Sequence, residues 1–285
     1  MFNTVFGKIK IHFPYLWRNA LSSKPVSDEM KITHQGRSEA VSRALSDFGI
    51  EDSSETTQVY GNRKKKKRIN WRDVRLGFVR PLDCPTKIFV GKMDSYPEVV
   101  GQLRQAAQLA GMTSTTDIVG VADGGIGLSE ELQRQFPTMQ FILDKSHLKD
   151  HFYETAEQMG VPKADRVEWV MPRVNAISNG DVENVLEELE QEYELNSSNR
   201  LKRLIGYINR FRDALDYSSF KNQGYPIGSG EIESAHKSIP QKRLKIPGAS
   251  WHPDSINPML ALRILRADDW WNDFWNQRTE KLLAA

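Results

Sequence analysis

The sequence has almost no cysteine and no long apolar run. It has a single cysteine, Cys84, among 285 residues, which excludes an internal disulfide framework and a zinc finger built on cysteine. Its apolar stretches are far too short to cross a bilayer. The first eleven residues carry lysines among apolar residues, without the continuous apolar centre and small-residue cleavage site of a signal peptide. We therefore expect no membrane segment, and a reducing cytoplasm is the simplest compartment.

A strong net charge is also lacking. The formal net charge is +2, hydrophobic residues make up 39% and charged residues 27%, which is the balance of a globular chain. The charges are nevertheless segregated along the chain. Basic residues concentrate at 63–68 and 237–245, and acidic residues at 181–194. This segregation indicates one face for a bound anion and another face turned away from it.

The middle of the chain predicts a mixed sheet. "WRDVRLGFVRP" and "TKIFVGKM" alternate and are closely spaced, which is typical of a hairpin. A helix follows from Ser95 to Gly111, and two short apolar strands then end at Asp123 and Asp144 with a short helix between them. Near the N-terminus, "GKIKIHFPYL" alternates like a strand, but residues 1–60 contain no convincing core.

After His147 the pattern becomes helical. Amphipathic spacing predicts three helices, and their sequences are "LKDHFYETAEQMG", "DVENVLEELEQEYE" and "RLKRLIGYINRFRDAL". A fourth helix begins near Gly230 in "GSGEIESAHKSIP" and breaks at Pro240. The C-terminal "PMLALRILRADDWWNDFWNQR" predicts a tryptophan-rich helix.

Two carboxylates stand out by their positions. Asp123 follows a strand and precedes two glycines, and ligands bind at the carboxyl ends of strands in open sheets. The alternative is that Asp123 only starts a turn or caps the next helix. Glu233 lies on the late helix, away from its apolar face, and its alternative is a surface ion pair with Lys237.

A third candidate is the group Asp144, His147 and His151 in "LDKSHLKDH". The two histidines are four residues apart, one turn of helix, so a zinc hydrolase using these three residues is one hypothesis. We favour the other interpretation, in which His147 is packed and hydrogen-bonded.

Two basic segments could contact the phosphates of a nucleic acid, with solvated loops as the alternative. Their residues are Arg63, Lys64, Lys65, Lys66, Lys67 and Arg68 in the first, and Lys237, Lys242, Arg243 and Lys245 in the second. A carboxylate at a strand end, another on a late helix, helices between them and flanking cations together predict a two-metal phosphoryl-transfer site.

Several motifs, in order, resemble the bacterial insertion-sequence transposases of the ISKra type. The motifs are "VADGGIGL", "FILDKSHLKDHF", "YPIGSGEIESAHKSIPQKRLKIPGASWHPD" and "MLALRILRADDWWNDFW". That group has a ribonuclease-H-like catalytic domain and an Asp–Asp–Glu triad. The resemblance covers Tyr60 to the C-terminus and implies that Asp123 is the second triad acid and Glu233 the third, both holding Mg²⁺ or Mn²⁺. Asp144 and His147 match the Asp-x-x-His element of related transposases.

The resemblance also implies a fold and partners. We expect an α/β fold, a ribonuclease-H-like mixed sheet with flanking helices and an all-helical insertion before the last catalytic helix. The expected divisions are an N-terminal remnant at 1–59, the first part of the core at 60–152, the insertion at 153–224, and a C-terminal part at 225–285. The expected partners are double-stranded DNA, as element ends and target, and further copies of the chain, in a bacterial cytoplasm with nucleoid association.

One departure from the family pattern changes the functional expectation. The family carries its first acid on the first strand, upstream of the basic stretch, and no Asp-Gly precedes Asp123 here. The sequence around 52–55 reads as the junction of an internal deletion, and Asp47 and Asp52 are poor substitutes because neither lies in a strand-like context. We therefore expect DNA transposition activity that is weak or lost, with a non-catalytic DNA-binding or oligomerising remnant as the alternative. Without its first strand the hairpin has an unpaired edge, unless "GKIKIHF" takes that place.

Overall fold

The protein is a mixed α/β chain in which helices predominate. The computed structural model describes residues 2–14, 69–82, 84–247 and 251–283. The predicted DNA-binding segment 63–68 and the two substitute acids, Asp47 and Asp52, lie outside these ranges. The described strands are β1 (Phe2–Pro14), β2 (Ile69–Pro81), β3 (Ile88–Lys92), β4 (Ile118–Ala122) and β5 (Gln140–Leu143).

The helices follow the sheet strands and fill most of the second half of the chain. They are α1 (Tyr96–Leu109), α2 (Leu128–Gln135), α3 (Lys145–Gln158), α4 (Arg166–Ser178), α5 (Val182–Asn196), α6 (Asn199–Arg210), α7 (Tyr217–Asn222), α8 (Gly230–His236), α9 (Lys242–Leu244), α10 (Ile256–Ala267) and α11 (Trp271–Leu283). Over the described residues, none of these helices has the length and apolarity needed to cross a membrane.

The five strands form one sheet in the order β3-β2-β1-β4-β5. Residues Phe2–Phe6 pair in parallel with Ile118–Ala122, and Val119–Ala122 pair in parallel with Gln140–Leu143. Residues 7–14 of the N-terminal segment predicted as a strand lie in β1, and β1 fills the inner position between β2 and β4. The short connection from β2 to its neighbour β3 fits the predicted hairpin, because parallel neighbours need a longer crossover.

By its internal contacts the chain divides into two compact units. Among the described residues, unit 1 takes 2–7, 77–82, 84–88 and 96–233, and unit 2 takes 8–14, 69–76, 89–95, 234–247 and 251–283. In unit 1 the strand β4 is buried along its whole length. The helices α3, α4, α5 and α6 pack against one another in sequence, and α3 also packs on α6. The predicted helical insertion thus belongs to the same unit as β4 and β5.

The apolar faces expected for the helices of unit 1 are buried. The alternation of three and four residues between apolar positions places them on one side of each helix. The buried residues are Val99, Val100, Leu103, Ala106 and Ala107 in α1, Val182, Val185, Leu186 and Leu189 in α5, and Leu201, Leu204 and Ile208 in α6.

The helix α4 is not predicted by the sequence pattern, because Pro172 stands inside it and proline disfavours a helix interior. Packing compensates for that cost. The guanidinium of Arg173 lies 4.6 Å from the centre of the Trp169 ring and forms ion pairs with Glu188 at 3.7 Å and Glu192 at 3.3 Å. Part of the acidic segment of α5 is therefore engaged within unit 1.

In unit 2, the predicted break at Pro240 is a widened helical turn. Residues Lys237–Gln241 form a π-helical turn that contains this proline, and α9 continues directly after it. A proline removes one backbone donor and crowds the preceding turn, and a π turn relieves that crowding locally. The Arg263 side chain of α10 donates to the carbonyl oxygens of Ser238 and Ile239, which holds the turn in place.

Helix α10 also covers an edge of the sheet. The strand β3 is last in the strand order, and an uncovered edge strand presents free N–H groups. The Phe89 N–H donates to the Asp268 carboxylate at 3.1 Å, and the Met93 N–H donates to Asn257 Oδ1 at 2.7 Å. Side chains at the two ends of α10 therefore satisfy donors at this edge.

Candidate metal centre

Three side chains with metal-binding atoms converge in unit 1. Asp144 follows β5, His147 lies in the first turn of α3, and Glu233 lies in α8. One ligand atom from each residue lies within 4.8 Å of those from the other two. Asp144 is buried, His147 half-buried and Glu233 exposed. This group could hold a cation, and its exposed side is provided by Glu233.

The Asp144 carboxylate is held by three donors. Its Oδ1 accepts from the Ser146 N–H at 2.6 Å, which makes it the N-cap of α3. Its Oδ2 accepts from the Ser229 N–H at 3.0 Å and from the Ser229 hydroxyl. The Lys145 N–H also donates to the carbonyl of Ile227 at 3.1 Å. Asp144 therefore fastens the loop before α8 to the start of α3.

Ser229 sets the start of α8 and hence the position of Glu233. Its carbonyl accepts from the Ile232 N–H at 2.9 Å and from the Glu233 N–H at 3.0 Å. Its hydroxyl also lies 3.5 Å from Glu233 Oε1. Since Ile232 is buried, the Glu233 side chain points outward, as the spacing predicted. Sequence spacing did not single out Ser229, although a serine directly before a helix is a common cap.

Asp123 leaves the sheet beside Asp144 but is not a member of the three-residue group. The Asp144 N–H donates to the carbonyl of Ala122 at 2.9 Å. The two acids therefore follow neighbouring parallel strands, both at the carboxyl ends of these strands. Asp123 Oδ1 accepts from the Gly125 N–H at 3.2 Å. The ligand-binding role of Asp123 and its alternative role in a turn or cap both remain predictions. Glu233, in contrast, lies close to Asp144 and His147.

The Tyr207 side chain, from α6, lies over the turn that follows Asp123. Burial raises the pKa of its hydroxyl, and the negative charges of Asp123 and Asp144 raise that pKa further, so both carboxylates act on one phenol. The ring centres of Tyr207 and His151 are 4.2 Å apart. Burial lowers the pKa of His151, whose ring is tilted by 44° against that of Tyr207. Glu233, and not His151, completes the group with Asp144 and His147. No sequence signal pointed to Tyr207.

Gly124 is the position of this turn where an added side chain would clash most severely. A Cβ there would lie 2.5 Å from the Tyr207 hydroxyl oxygen and 2.7 Å from Phe211 Cε2. We expect Gly124→Ala to lower the free energy of unfolding by about 1–3 kcal/mol, because rigid rings must move. Urea denaturation measures this. As a matched control, Gly206→Ala in α6 meets nothing within 4 Å and should stabilise the chain by about 0.5–1 kcal/mol. Equal effects of the two substitutions would contradict the prediction.

Glu231 and Glu233 have different partners, although they are two residues apart. Glu231 lies 3.5 Å from Arg80 Nη2 and 3.5 Å from Lys87 Nζ. Both cations belong to the end of β2 and the connection to β3. Glu231 is therefore an ordinary ion-paired residue, and Glu233 is the carboxylate that lies with possible metal ligands.

The described part of the second basic segment lies in unit 2, on the π-helical turn, α9 and the residue after it. Its four predicted phosphate contacts are exposed, and none forms an ion pair with a described acidic residue. These residues are Lys237, Lys242, Arg243 and Lys245. Their exposure is compatible with the predicted contact to phosphates and also with a solvated surface.

The donor set fits a divalent cation of a particular kind. Two carboxylates and one imidazole suit Mn²⁺ or Zn²⁺ better than Mg²⁺, which prefers oxygen alone. Metal bonds of about 2.1 Å place opposite ligands no more than about 4.2 Å apart, so the group must close slightly, and the exposed Glu233 can do so. Asp144 has used three of its roughly four acceptor positions, so it can offer one oxygen only.

No protein-family model matches the sequence, and a search of curated proteins finds no match. Among solved structures, the Drosophila P element transposase strand transfer complex aligns with 95% of this chain at 11% identity and a TM-score of 0.28. The chain spans 65% of the length of that protein chain. This similarity is too weak to assign a fold or a function, and neither is assigned from it.

Proposed function

We propose that the chain is a transposase of the Asp–Asp–Glu type with a ribonuclease-H-like core, weakened in catalysis. Its activity would be metal-dependent DNA cleavage and strand transfer. The observation that carries this proposal is the approach of Asp144, His147 and Glu233 to within 4.8 Å of one another, at the sheet edge where Asp123 also emerges. Ligands are expected at such an edge.

The sheet topology supports the ribonuclease-H-like part of the proposal. Strands β1, β4 and β5 run parallel in that order, and the hairpin partners β2 and β3 lie beyond β1. This order is compatible with the ribonuclease-H-like core that we propose. The helices α4 to α7 stand in the chain between Asp144 and Glu233, where the resemblance implies a helical insertion.

The composition of β1 supports weak catalysis. The strand that occupies the position next to β4 reads "FNTVFGKIKIHFP", without an aspartate or glutamate. In a two-metal site a cation activates the attacking oxygen and another stabilises the leaving oxygen, and each needs oxygen ligands. Here Glu233, His147 and one oxygen of Asp144 would hold one cation, and Asp123 would stand beside them. With the first acid missing, the second cation lacks a ligand, so the rate is expected to be low.

Mn²⁺ binding tests the centre directly. We expect Glu233→Gln to weaken Mn²⁺ binding by at least about 10–100-fold, because loss of a hydrogen-bond partner of a metal ligand already costs this much and a neutral amide is a poorer ligand. The amount of free Mn²⁺ at each concentration is read by electron paramagnetic resonance. Glu231→Gln is the matched control, since it removes the same charge two residues away. The partners of Glu231 are Arg80 and Lys87, not possible metal ligands. Equal Mn²⁺ affinities for the two variants would contradict the proposal.

A second candidate function is a DNA-binding or oligomerising protein without catalysis. The absence of a carboxylate from β1 favours it, as do the exposed cations of the second basic segment. The two functions differ in one measurement on purified protein with element-end DNA and Mn²⁺. Cleavage that is lost in Glu233→Gln supports the first candidate, and DNA binding without metal and without cleavage supports the second.

A further inference from the structure

We propose that unit 2 carries a binding face for the phosphodiester backbone of DNA, formed by Arg243 and Arg266 and positioned by Arg263. The proposal rests on the proposed function only in the choice of DNA as partner. It needs no metal, and two of these arginines, Arg263 and Arg266, lie outside the basic segments found in the sequence.

Arg263 is the fixed point of the face. It is half-buried on α10, and its Nε and Nη2 atoms donate to the carbonyls of Ile239 and Ser238. These bonds hold α10 against the π-helical turn, and α10 packs on that turn. Since α9 follows the turn directly, the same bonds fix Arg243 relative to Arg266, which lies three residues after Arg263 on α10.

The guanidinium groups of Arg243, Arg263 and Arg266 repel one another, and no described carboxylate pairs with them to offset this repulsion. Burial lowers the pKa of Arg263, and the positive charges of Arg243 and Arg266 lower that pKa further, as expected for three close cations. Over the residues that the structure describes, no carboxylate forms an ion pair with any of them. The buried Asp268 accepts from the Phe89 N–H instead. A bound anion would remove this repulsion.

Two tryptophans support the outer arginines. The guanidinium carbon of Arg243 lies 5.3 Å from the centre of the Trp251 ring, and that of Arg266 lies 6.0 Å from the centre of the Trp271 ring. These are cation–π distances. Trp251 in turn packs on a buried apolar cluster that includes Leu244 and Leu260. An arginine lying on a fixed ring still has N–H groups at its edge, and this planar fork matches a phosphate.

The distribution of charge favours a polymer of phosphates over a single anion. Arg243 and Arg266 are both exposed, and the exposed Lys237, Lys242 and Lys245 continue the same charge along the turn and α9. Several exposed cations on neighbouring elements can each contact a phosphate of one polymer, and such contacts carry no base sequence information. We therefore expect binding that is independent of DNA sequence and steeply dependent on salt.

The test is fluorescence anisotropy with a short DNA duplex, in EDTA, over a range of salt concentrations. The full chain is compared with R243Q/R266Q and with the control K202Q/R203Q, which removes two exposed cations from α6. Each lost phosphate contact lowers the slope of log K against log salt by about 0.9. We expect R243Q/R266Q to lose about two from that slope and at least about tenfold in affinity, equally for unrelated sequences. R243K/R266K should keep most of the slope, because lysine keeps the charge.

Several outcomes would overturn this proposal. One is an unchanged slope in R243Q/R266Q, and another is an equal loss in the K202Q/R203Q control. A third is binding of poly-glutamate as tightly as DNA at the same salt, which would make the face a general anion site. EDTA removes the metal, so failure of the metal centre leaves these results unchanged. Equally, failure here leaves the effect of Glu233→Gln on Mn²⁺ binding intact.

Discussion

Asp144→Ala is expected to lower the free energy of unfolding by about 3–5 kcal/mol, because a buried carboxylate with three donors is lost. The Ser146 N–H loses its cap, and the Ser229 N–H and hydroxyl are left in a buried site without an acceptor. Each buried polar group without a partner costs about 1–3 kcal/mol. The loop before α8 loses its link to α3 as well, so Mn²⁺ affinity should fall with stability under native conditions.

Urea denaturation of Asp144→Ala and of Asp216→Ala separates this network from an ordinary helix cap. Asp216 is also an N-cap, but it is exposed and accepts only from the Ser219 N–H at 3.1 Å. Its loss should cost about 1 kcal/mol. Asp144→Asn should fall between the two, since an amide keeps one acceptor and turns an N–H₂ group toward a donor. If Asp144→Ala costs no more than Asp216→Ala, Asp144 is only a cap.

Much of the sheet follows from local sequence pattern. The sequences of β2 and β3 alternate between apolar and polar residues in part, and β4 and β5 are short apolar runs that end at an acid. Because strand period and strand ends are local properties, the edge position of Asp123 and Asp144 could be predicted. The place of β1 could only be offered as an alternative, because pairing of Phe2–Phe6 with Ile118–Ala122 joins distant parts of the chain.

The parts that the sequence did not predict depend on distant partners. Helix α4 contains Pro172, and its contacts through Arg173 are made by Glu188 and Glu192 on the next helix, outside the reach of local propensity. The π-helical turn at Pro240 depends on Arg263. Local propensity includes the cost of the two prolines in a helix but not the contacts of other residues that offset this cost.

The candidate metal centre was predicted in part for the same reason. Sequence spacing suggested Asp123 with Glu233 and, separately, the group Asp144, His147 and His151, but as alternative sites. The Ser229 hydrogen bonds to Asp144 join Glu233 to Asp144 and His147 in one group. A hydrogen bond between residues 85 positions apart has no periodic signature, so only the folded chain reveals it.

The second large effect is expected in unit 2, where Asp268 should make stability depend on pH. Burial raises the pKa of Asp268 from 3.8 to about 7, the Phe89 N–H opposes this rise and the charge of Asp269 adds to it. Between about pH 4 and pH 7 the folded chain therefore binds a proton that the unfolded chain has released. Stability falls as pH rises through this window, by on the order of 4 kcal/mol in total.

Asp268→Asn removes this titration and keeps an oxygen for the Phe89 N–H at the edge strand β3. We expect the variant to match the original chain near pH 4 and to exceed its stability increasingly toward pH 8. The difference in unfolding free energy, measured in urea at each pH, isolates Asp268 because other titrating groups cancel. In a chain that keeps Asp268, Asp269→Asn should reduce the loss of stability between pH 4 and pH 7, since the charge of Asp269 no longer raises the pKa of Asp268. A difference that stays flat from pH 4 to pH 8 would mean that the Asp268 carboxylate is ionised at no cost, and that the edge of β3 is covered by an ordinary charged cap.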